Sequence, residues 1–388
     1  MPWKETGPMN ERMQFIGQWL SEDYTISELA RGYGVSRKTA YKWIERYRSE
    51  GPEGLREKSR AAKYHPNQTP SELVADIVKE KKAHRRWGPK KIAARLRKNY
   101  PEKEWPAVST VGNWLKKNGL VEPRKRRRQV PPYQEALISC DAANQLWSAD
   151  YKGEFRMGDS KYCYPLTISD NYSRYLLACE GLYGPRYQES QEVFEKVFRE
   201  YGLPEAIRTD NGTPFAGNGK TGLSRLSVWW IKLGIHPERI RKGCPQENGR
   251  HERMHQTLKA ATTKPPGGDM EQQQEFFDEF CLEYNEERPH EGLDMNVPTS
   301  KYSNSNRPYP KQIPPVDYDL EYTVRSVRSN GEIKYGGEMY YLSDVLAGEK
   351  VGLKEKEDGQ QVIFFSYLPV AILDLRAKKI EIYKGEDK

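Results

Sequence analysis

Two aspartates and a glutamate are the residues of this sequence best suited to act together on a substrate. Asp150 ends the run Leu-Trp-Ser-Ala-Asp, Asp210 follows Ala-Ile-Arg-Thr and precedes Asn211-Gly212, and Glu252 comes just after Pro-Gln-Glu-Asn-Gly. Three ionised carboxylates within a few ångströms repel one another and resist shared ionisation. Hard divalent cations that prefer oxygen relieve that repulsion, so such a trio points to Mg2+ or Mn2+. Two such ions ~4 Å apart can activate a water or a DNA 3′-hydroxyl and stabilise the leaving oxygen of an in-line phosphoryl transfer. The same stretch also reads His251-Glu252-Arg253-Met254-His255, the H-E-x-x-H pattern of zinc peptidases. A zinc peptidase needs a third ligand, and it would leave Asp150 and Asp210 without a task.

For the three carboxylates to meet, two strand ends and one helix side must converge. Residues 144–155 read as a strand and 162–183 as two more joined by a tight turn. Residues 190–202 form an amphipathic helix with Val193, Phe194, Val197 and Phe198 on one side. A strand over 204–210 runs into a Gly-containing loop, and helices follow at 225–235, 248–262 and 270–286. Three strands, then helix, strand, helix is the order of a ribonuclease H-like α/β domain. Asn211 and Gly212 are expected to form a turn with left-handed backbone beside Asp210. Asp170 shapes the turn between the second and third strands, with Ser173 and Arg174 near DNA.

Glu247 competes with Glu252. Five residues at ~100° each turn the two about 140° apart on one helix, so both cannot face one site. With Met254, Leu258 and Ala261 as the buried stripe, Glu252 shares a face with His255 and Lys259. His255 then lies near the scissile phosphate, Lys259 suits a phosphate contact, and His251 is packed or faces solvent.

Charge says what the rest of the chain does. Residues 1–130 hold 30 Lys+Arg against 15 Asp+Glu, a net of +15, while the remainder carries −7. A polycationic third that releases counterions from DNA is the usual source of such asymmetry. Within it, Met13, Ile16 and Leu20 mark a first helix. A helix, a Gly turn and a second helix capped by Ser36 follow, with Val35, Ala40 and Ile44 inward. That is a helix-turn-helix whose recognition helix exposes Arg37, Lys38, Thr39 and Lys42. The pattern recurs over 71–121, where Ser109 is read as the cap, Trp87 and Trp114 as core anchors, and Thr110, Asn113, Lys116 and Lys117 as exposed. Arg124, Lys125, Arg126, Arg127 and Arg128 make a proline-bounded basic run suited to phosphates or minor-groove entry.

From about residue 318 short alternating strands with Asn-Gly, Gly-Gly and Asp-Gly turns suggest a small β-barrel of about five strands. The five cysteines have no CxxC spacing and read as reduced thiols. No apolar run approaches the ~20 residues of a membrane span, and the N-terminus lacks a signal-peptide layout, so a cytoplasmic location is expected.

The segments "WSADYKGEF", "RTDNGTPFAG", "PQENGRHERMHQTLK" and "YNEERPHEGLDMNVPTSKY", in that order, resemble the integrase-core motifs of bacterial insertion-sequence transposases of the DDE, retroviral-integrase-like kind. The resemblance implies Asp150, Asp210 and Glu252 as catalytic and metal-holding residues, with two Mg2+ or Mn2+ ions. The 41 residues between Asp210 and Glu252 exceed the usual spacing, with "AGNGKTGLSR" as the insertion. The implied protein is a multidomain DNA transposase that binds terminal inverted repeats, cleaves 3′ ends and transfers them to target DNA. It would work as a homo-oligomer on paired ends in the bacterial nucleoid. The alternative is a catalytically silent, transposase-derived DNA-binding regulator. The expected division is helix-turn-helix domains at 1–55 and 71–121, linkers at 56–70 and 122–139, an α/β core at 140–300, and a connector with the barrel at 301–388.

Overall fold

Hydroxyl side chains start two helices of the first unit. Thr25 and Glu28 cap the helix Ile26–Gly32 reciprocally, with Glu28 N donating to Thr25 Oγ1 at 3.3 Å and Thr25 N donating to Glu28 Oε2 at 2.8 Å. Ser36 accepts from Thr39 N at the start of the helix Arg37–Glu50. In this computed structural model the described residues are 7–59, 68–121, 140–217, 219–241, 245–357 and 359–383. The basic run at Arg124, Lys125, Arg126, Arg127 and Arg128 lies outside them. The chain forms two units, Met1–Pro70 and Ser71–Lys388.

The first unit packs α1 (Pro8–Leu20), α2 (Ile26–Gly32) and α3 (Arg37–Glu50) around Phe15, Ile16, Leu29, Ala30, Ala40, Ile44 and Leu55. One expectation is corrected. Val35 is exposed rather than inward, while Met13 and Leu20 of α1 are about half exposed. Three short helices meet along a narrow seam, which Phe15 fills by standing edge-on to Tyr33 at 5.5 Å.

The second unit begins with another three-helix module, α4 (Ser71–Ala83), α5 (Pro89–Asn99) and α6 (Val108–Lys117), around Ile77, Trp87, Ile92, Leu96, Val111 and Leu115. Trp87 is the anchor expected. Trp114 is not: it is half-buried under the Lys117 ammonium, while Leu115 beside it fills the core. Ser109 lies inside α6, and Ala107 holds the cap position without a side-chain bond.

The α/β core follows. Strands β1 (Leu146–Tyr151), β2 (Phe155–Arg156), β3 (Tyr162–Asp170) and β4 (Leu176–Leu182) precede α7 (Tyr187–Tyr201). Then come β5 (Ala206–Thr209), α8 (Arg225–Lys232), β6 (His236–Arg239), α9 (Gly249–Thr262) and α10 (Met270–Leu282). The sheet runs β4-β3-β1-β5-β6, with β2 at the end of β3, antiparallel on the β3 side of β1 and parallel on the β5 side. Strands β2 and β6 are not legible in the sequence, because one has two residues and the other contains a proline. Helices α7 and α8 cover one face of the sheet with Phe194, Phe198, Trp229 and Trp230, while α9 and α10 cover the other with Met254, Leu258 and Phe277.

Asn285, in the turn after α10, clasps the start of β4. Its Oδ1 accepts from Leu176 N at 2.8 Å and its Nδ2 donates to Leu176 O at 2.9 Å. Asn285→Ala leaves both buried backbone groups unpartnered, and each such group costs about 1–3 kcal/mol. The expected loss, read from the urea midpoint, is about 3 kcal/mol. A change under about 0.5 kcal/mol would mean the clasp carries no stability.

The expected C-terminal barrel is corrected. Strands β7 (Thr323–Ser326), β8 (Glu332–Tyr335), β9 (Glu338–Tyr341), β10 (Lys350–Glu357), β11 (Gln360–Phe365), β12 (Leu368–Asp374) and β13 (Lys379–Ile382) make an open five-stranded sheet β13-β12-β11-β10-β7 and a separate β8-β9 hairpin. Sheet closure is unnecessary because α8 completes the apolar layer. Its Val228 and Ile231 join Ile333, Leu342, Val351, Leu353 and Phe365. Helix α8 is buried on both sides, with Trp229 and Trp230 in the α/β core. Among the described residues no helix is long and apolar enough to cross a membrane.

Candidate active site

Strands β1 and β5 bring two carboxylates together. They run parallel with Leu146 beside Ala206, Trp147 beside Ile207 and Ser148 beside Arg208. Two residues further along each chain stand Asp150 and Asp210. Side chains alternate between faces and paired residues share one, so both carboxylates leave the same face at neighbouring strand ends ~4.8 Å apart. Trp147 and Ala149 point the other way, into the α7–α8 core. Gly212 N donates to Asp210 Oδ1 at 3.0 Å, and a Cβ at Gly212 would lie 2.9 Å from Asp210 Oδ2. The backbone there has no left-handed residue, contrary to expectation. The glycine is needed for room against the carboxylate.

Helix α9 brings the third acid and the two histidines. His251, Met254, His255, Leu258 and Thr262 are buried, and Glu252 is exposed on the flank. Both imidazoles converge on Thr167 of β3, whose residue pairs with Asp150. Thr167 Oγ1 donates to Asp150 O at 3.1 Å and lies 2.7 Å from His251 Nε2 and 2.6 Å from His255 Nε2. A hydroxyl has one proton, so both Nε2 atoms carry theirs and donate to its lone pairs. Ser169 Oγ, 2.9 Å away, then donates to His251 Nδ1. The other proton-free nitrogen, His255 Nδ1, faces Asp150 Oδ2 at 3.7 Å. This arrangement spends the imidazoles inside the protein, so they form no zinc pair. It also corrects the expectation that His255 touches DNA, since its side chain is covered. Thr167 and Ser169 carry no signal in the sequence, where an alternating strand with hydroxyls reads as ordinary.

Burial pushes the Asp150 carboxyl up to about 7, and the Asp210 and Glu252 charges push in the same direction. Burial drives His251 down to about 3, and His255 lower still with help from His251 and Lys152. Lys152 was missed by sequence reasoning, though it lies two residues past Asp150 on the same side of the strand. It stands among Asp150, Glu252 and Lys259, and burial, then Lys259, lowers its pKa. Lys259 is exposed, one turn beyond His255. Glu247 is committed elsewhere. Its carboxylate accepts from Arg241 N at 2.8 Å and Arg241 Nε at 2.7 Å, and its side chain is fully covered.

Among the described residues no group of three or more His, Cys, Asp or Glu side chains stands in chelating arrangement. Asp150, Asp210 and Glu252 offer oxygen alone, and their mutual repulsion is what a hard divalent ion relieves, so the donor set fits Mg2+ or Mn2+.

On α3, Arg37, Lys38 and Lys42 are exposed and Thr39 is half-buried; on α6, Asn113, Lys116 and Lys117 are exposed and Thr110 is half-buried. Asp170 holds its turn as expected, accepting from Asn144 N, Ser173 N and Ser173 Oγ. Ser173 is buried in that role, which removes it from any DNA surface.

Residues 141–245 and 233–298 match the integrase core domain family. Residues 11–63 match a helix-turn-helix domain and 39–115 a homeodomain-like domain. The chain is 26% identical over 199 residues to an uncharacterized 39.2 kDa protein of insertion element IS476 from Xanthomonas euvesicatoria, covering 48% of this chain and 52% of that protein. It is 23% identical over 235 residues to an uncharacterized 31.7 kDa protein of insertion element IS407 from Burkholderia multivorans, covering 58% and 79%. It is 30% identical over 118 residues to a Pol polyprotein of feline endogenous virus ECE1, covering 30% and 11%. The chain thus spans about half of the IS476 protein and about a tenth of the polyprotein.

Proposed function

The chain belongs to the bacterial insertion-sequence transposases that carry a retroviral-integrase-like core, and we propose that it binds the terminal inverted repeats of its own element, cleaves their 3′ ends and joins them to target DNA. The observation that carries this reading is the parallel register of β1 and β5, which sets Asp150 and Asp210 on one face at neighbouring strand ends, with Glu252 of α9 near enough to act on Asp150. Asp150, Asp210 and Glu252 would hold Mg2+ or Mn2+, two ions per site. When bound, such ions activate the attacking water or 3′-hydroxyl and stabilise the leaving oxygen.

The chain's own groups bind and orient. Lys259 and Lys152 bring positive charge beside the carboxylates and attract the phosphodiester. The Thr167 hydroxyl, held by two imidazoles, fixes the Asp150 carbonyl and with it the strand end that aims the carboxylate. Arg37, Lys38, Thr39 and Lys42 on α3, with Thr110, Asn113, Lys116 and Lys117 on α6, would meet base edges and phosphates of the element ends. Two recognition helices suit a bipartite site, and a homo-oligomer would pair two ends.

The test is strand joining in Mg2+ with end-labelled element DNA and a target plasmid. Wild type should join labelled 3′ ends, and Asp210→Asn should lose joining by on the order of 10³-fold while still binding the ends. Equal activity of the two proteins would overturn the reading. Binding without cutting by wild type would favour the silent regulator.

A further inference from the structure

We propose that Lys91, Arg174, Arg250, Arg253 and Arg288 form one phosphodiester track, along which the backbone of the element's DNA runs from the second helix-turn-helix toward Glu252. This rests on the function proposed above and adds a site to it.

Four of these side chains, Lys91, Arg174, Arg253 and Arg288, have no ion pair or hydrogen bond to a described residue, and Arg250 only donates to the Asn171 carbonyl at 3.2 Å. Lys91, Arg174 and Arg288 are half-buried, where a lone cation is unfavourable. The nearby acids are spent on other partners. Glu291 holds Lys90 at 3.1 Å, Glu287 holds Arg95 at 2.8 Å, and Glu283 accepts from Trp87 Nε1 at 3.0 Å. The buried His290 Nε2 in the middle of the group has no partner among the described residues.

The cations stand in a continuous series. Lys90–Glu291 and Arg95–Glu287 pin α5 to the segment that carries Arg288. A Cβ at Gly292 would lie 3.5 Å from Arg174 Nη2, and Arg250 on α9 reaches Asn171, three residues before Arg174. Arg288 acts on Lys91, Lys91, Arg288 and Arg174 act on His290, and Arg250 and Arg253 act on Arg174. Burial and this crowding hold Lys91 down at about 7 and Arg174 at about 10. The series begins on α5 and ends at Arg253, the residue after Glu252. A solvated charged face does not explain it, because such faces keep their cations apart and in water. A polyanion lying over the series offsets the repulsion at every position, and DNA is the polyanion that a helix-turn-helix delivers.

The experiment uses the full chain and a duplex carrying the element end, with affinity measured against salt concentration. Each phosphate contact contributes about 0.9 to the slope of log K against log salt. The variant Lys91→Gln/Arg174→Gln/Arg288→Gln is expected to lower the slope by about 2–3 and to weaken binding by on the order of 10²-fold at moderate salt. Should that variant melt at lower temperature than wild type, Arg250→Gln/Arg253→Gln, exposed on α9, replaces it with an expected slope change of about 2. An unchanged slope in a folded variant overturns the track, as does weaker binding at an unchanged slope. Failure of wild type to distinguish the element end from unrelated duplex counts against the proposed function instead.

Discussion

Glu252→Gln is expected to lower strand joining by on the order of 10³-fold, whereas Glu247→Gln should change it less than about tenfold. The two glutamates flank Gly249, and either spacing suits a third metal-holding acid. Their surroundings differ. Glu247 is enclosed and bound twice by Arg241, so its oxygens are spent on a local bracket. Glu252 is exposed and presses its charge on Asp150. Losing that charge removes one anionic ligand from the ions that the proposal assigns to this site. Gln at 247 loosens the Arg241 bracket and so acts on stability, by about 1–2 kcal/mol. Joining kinetics and urea unfolding of the two variants separate these effects. Loss of joining with Glu247→Gln but not with Glu252→Gln would reverse the assignment.

The second large effect is acid lability. His251 and His255 are buried and neutral, and burial depresses both pKa values, that of His251 to about 3. Unfolding frees them to bind protons near their ordinary value of about 6.5, so the unfolded chain takes up more protons. Their stabilising contribution is complete above about 6.5 and is lost as pH falls below it. By pH 5 the loss is roughly 2 kcal/mol for each histidine. Asp150 has the opposite sign. Its raised value means that its contribution is present at low pH and is lost as pH rises through about 7. Urea unfolding without metal should therefore give lower stability at pH 5 than at pH 6.5 by about 1–2 kcal/mol, because the gain from Asp150, about 2 kcal/mol, offsets part of the loss from the two histidines. Added Mg2+ should stabilise more at pH 8 than at pH 6, because it relieves the ionised Asp150. A flat profile from 6.5 to 5 would mean that the imidazoles are charged or exposed in the folded protein.

Much of this site is legible in the sequence, and the illegible parts have physical reasons. Asp150 and Asp210 announce themselves because each ends an apolar strand run, and parallel register does the rest. Helical phase favours Glu252 over Glu247, yet Glu247 stands in the short 3-10 turn Pro245–Asn248 ahead of α9. Phase also sets His255 on the Glu252 face, whereas both imidazoles are buried beside Met254 and Leu258. The misleading signal is chemical, since imidazole suggests solvent or phosphate. Its burial depends on Thr167 and Ser169, far away in the chain and plain in composition. The C-terminal sheet misleads for another reason. Alternation reveals strands, but closure depends on which edges meet, and here α8, buried on two sides, makes closure unnecessary. Lys152 follows from strand alternation once Asp150 is chosen.

Because α8 fills two apolar layers at once, the C-terminal sheet is not a module that can be exchanged freely between relatives. A foreign sheet would have to match Val228 and Ile231, while Trp229 and Trp230 keep the other side unchanged. Any graft at this end of the protein must therefore preserve both faces of α8.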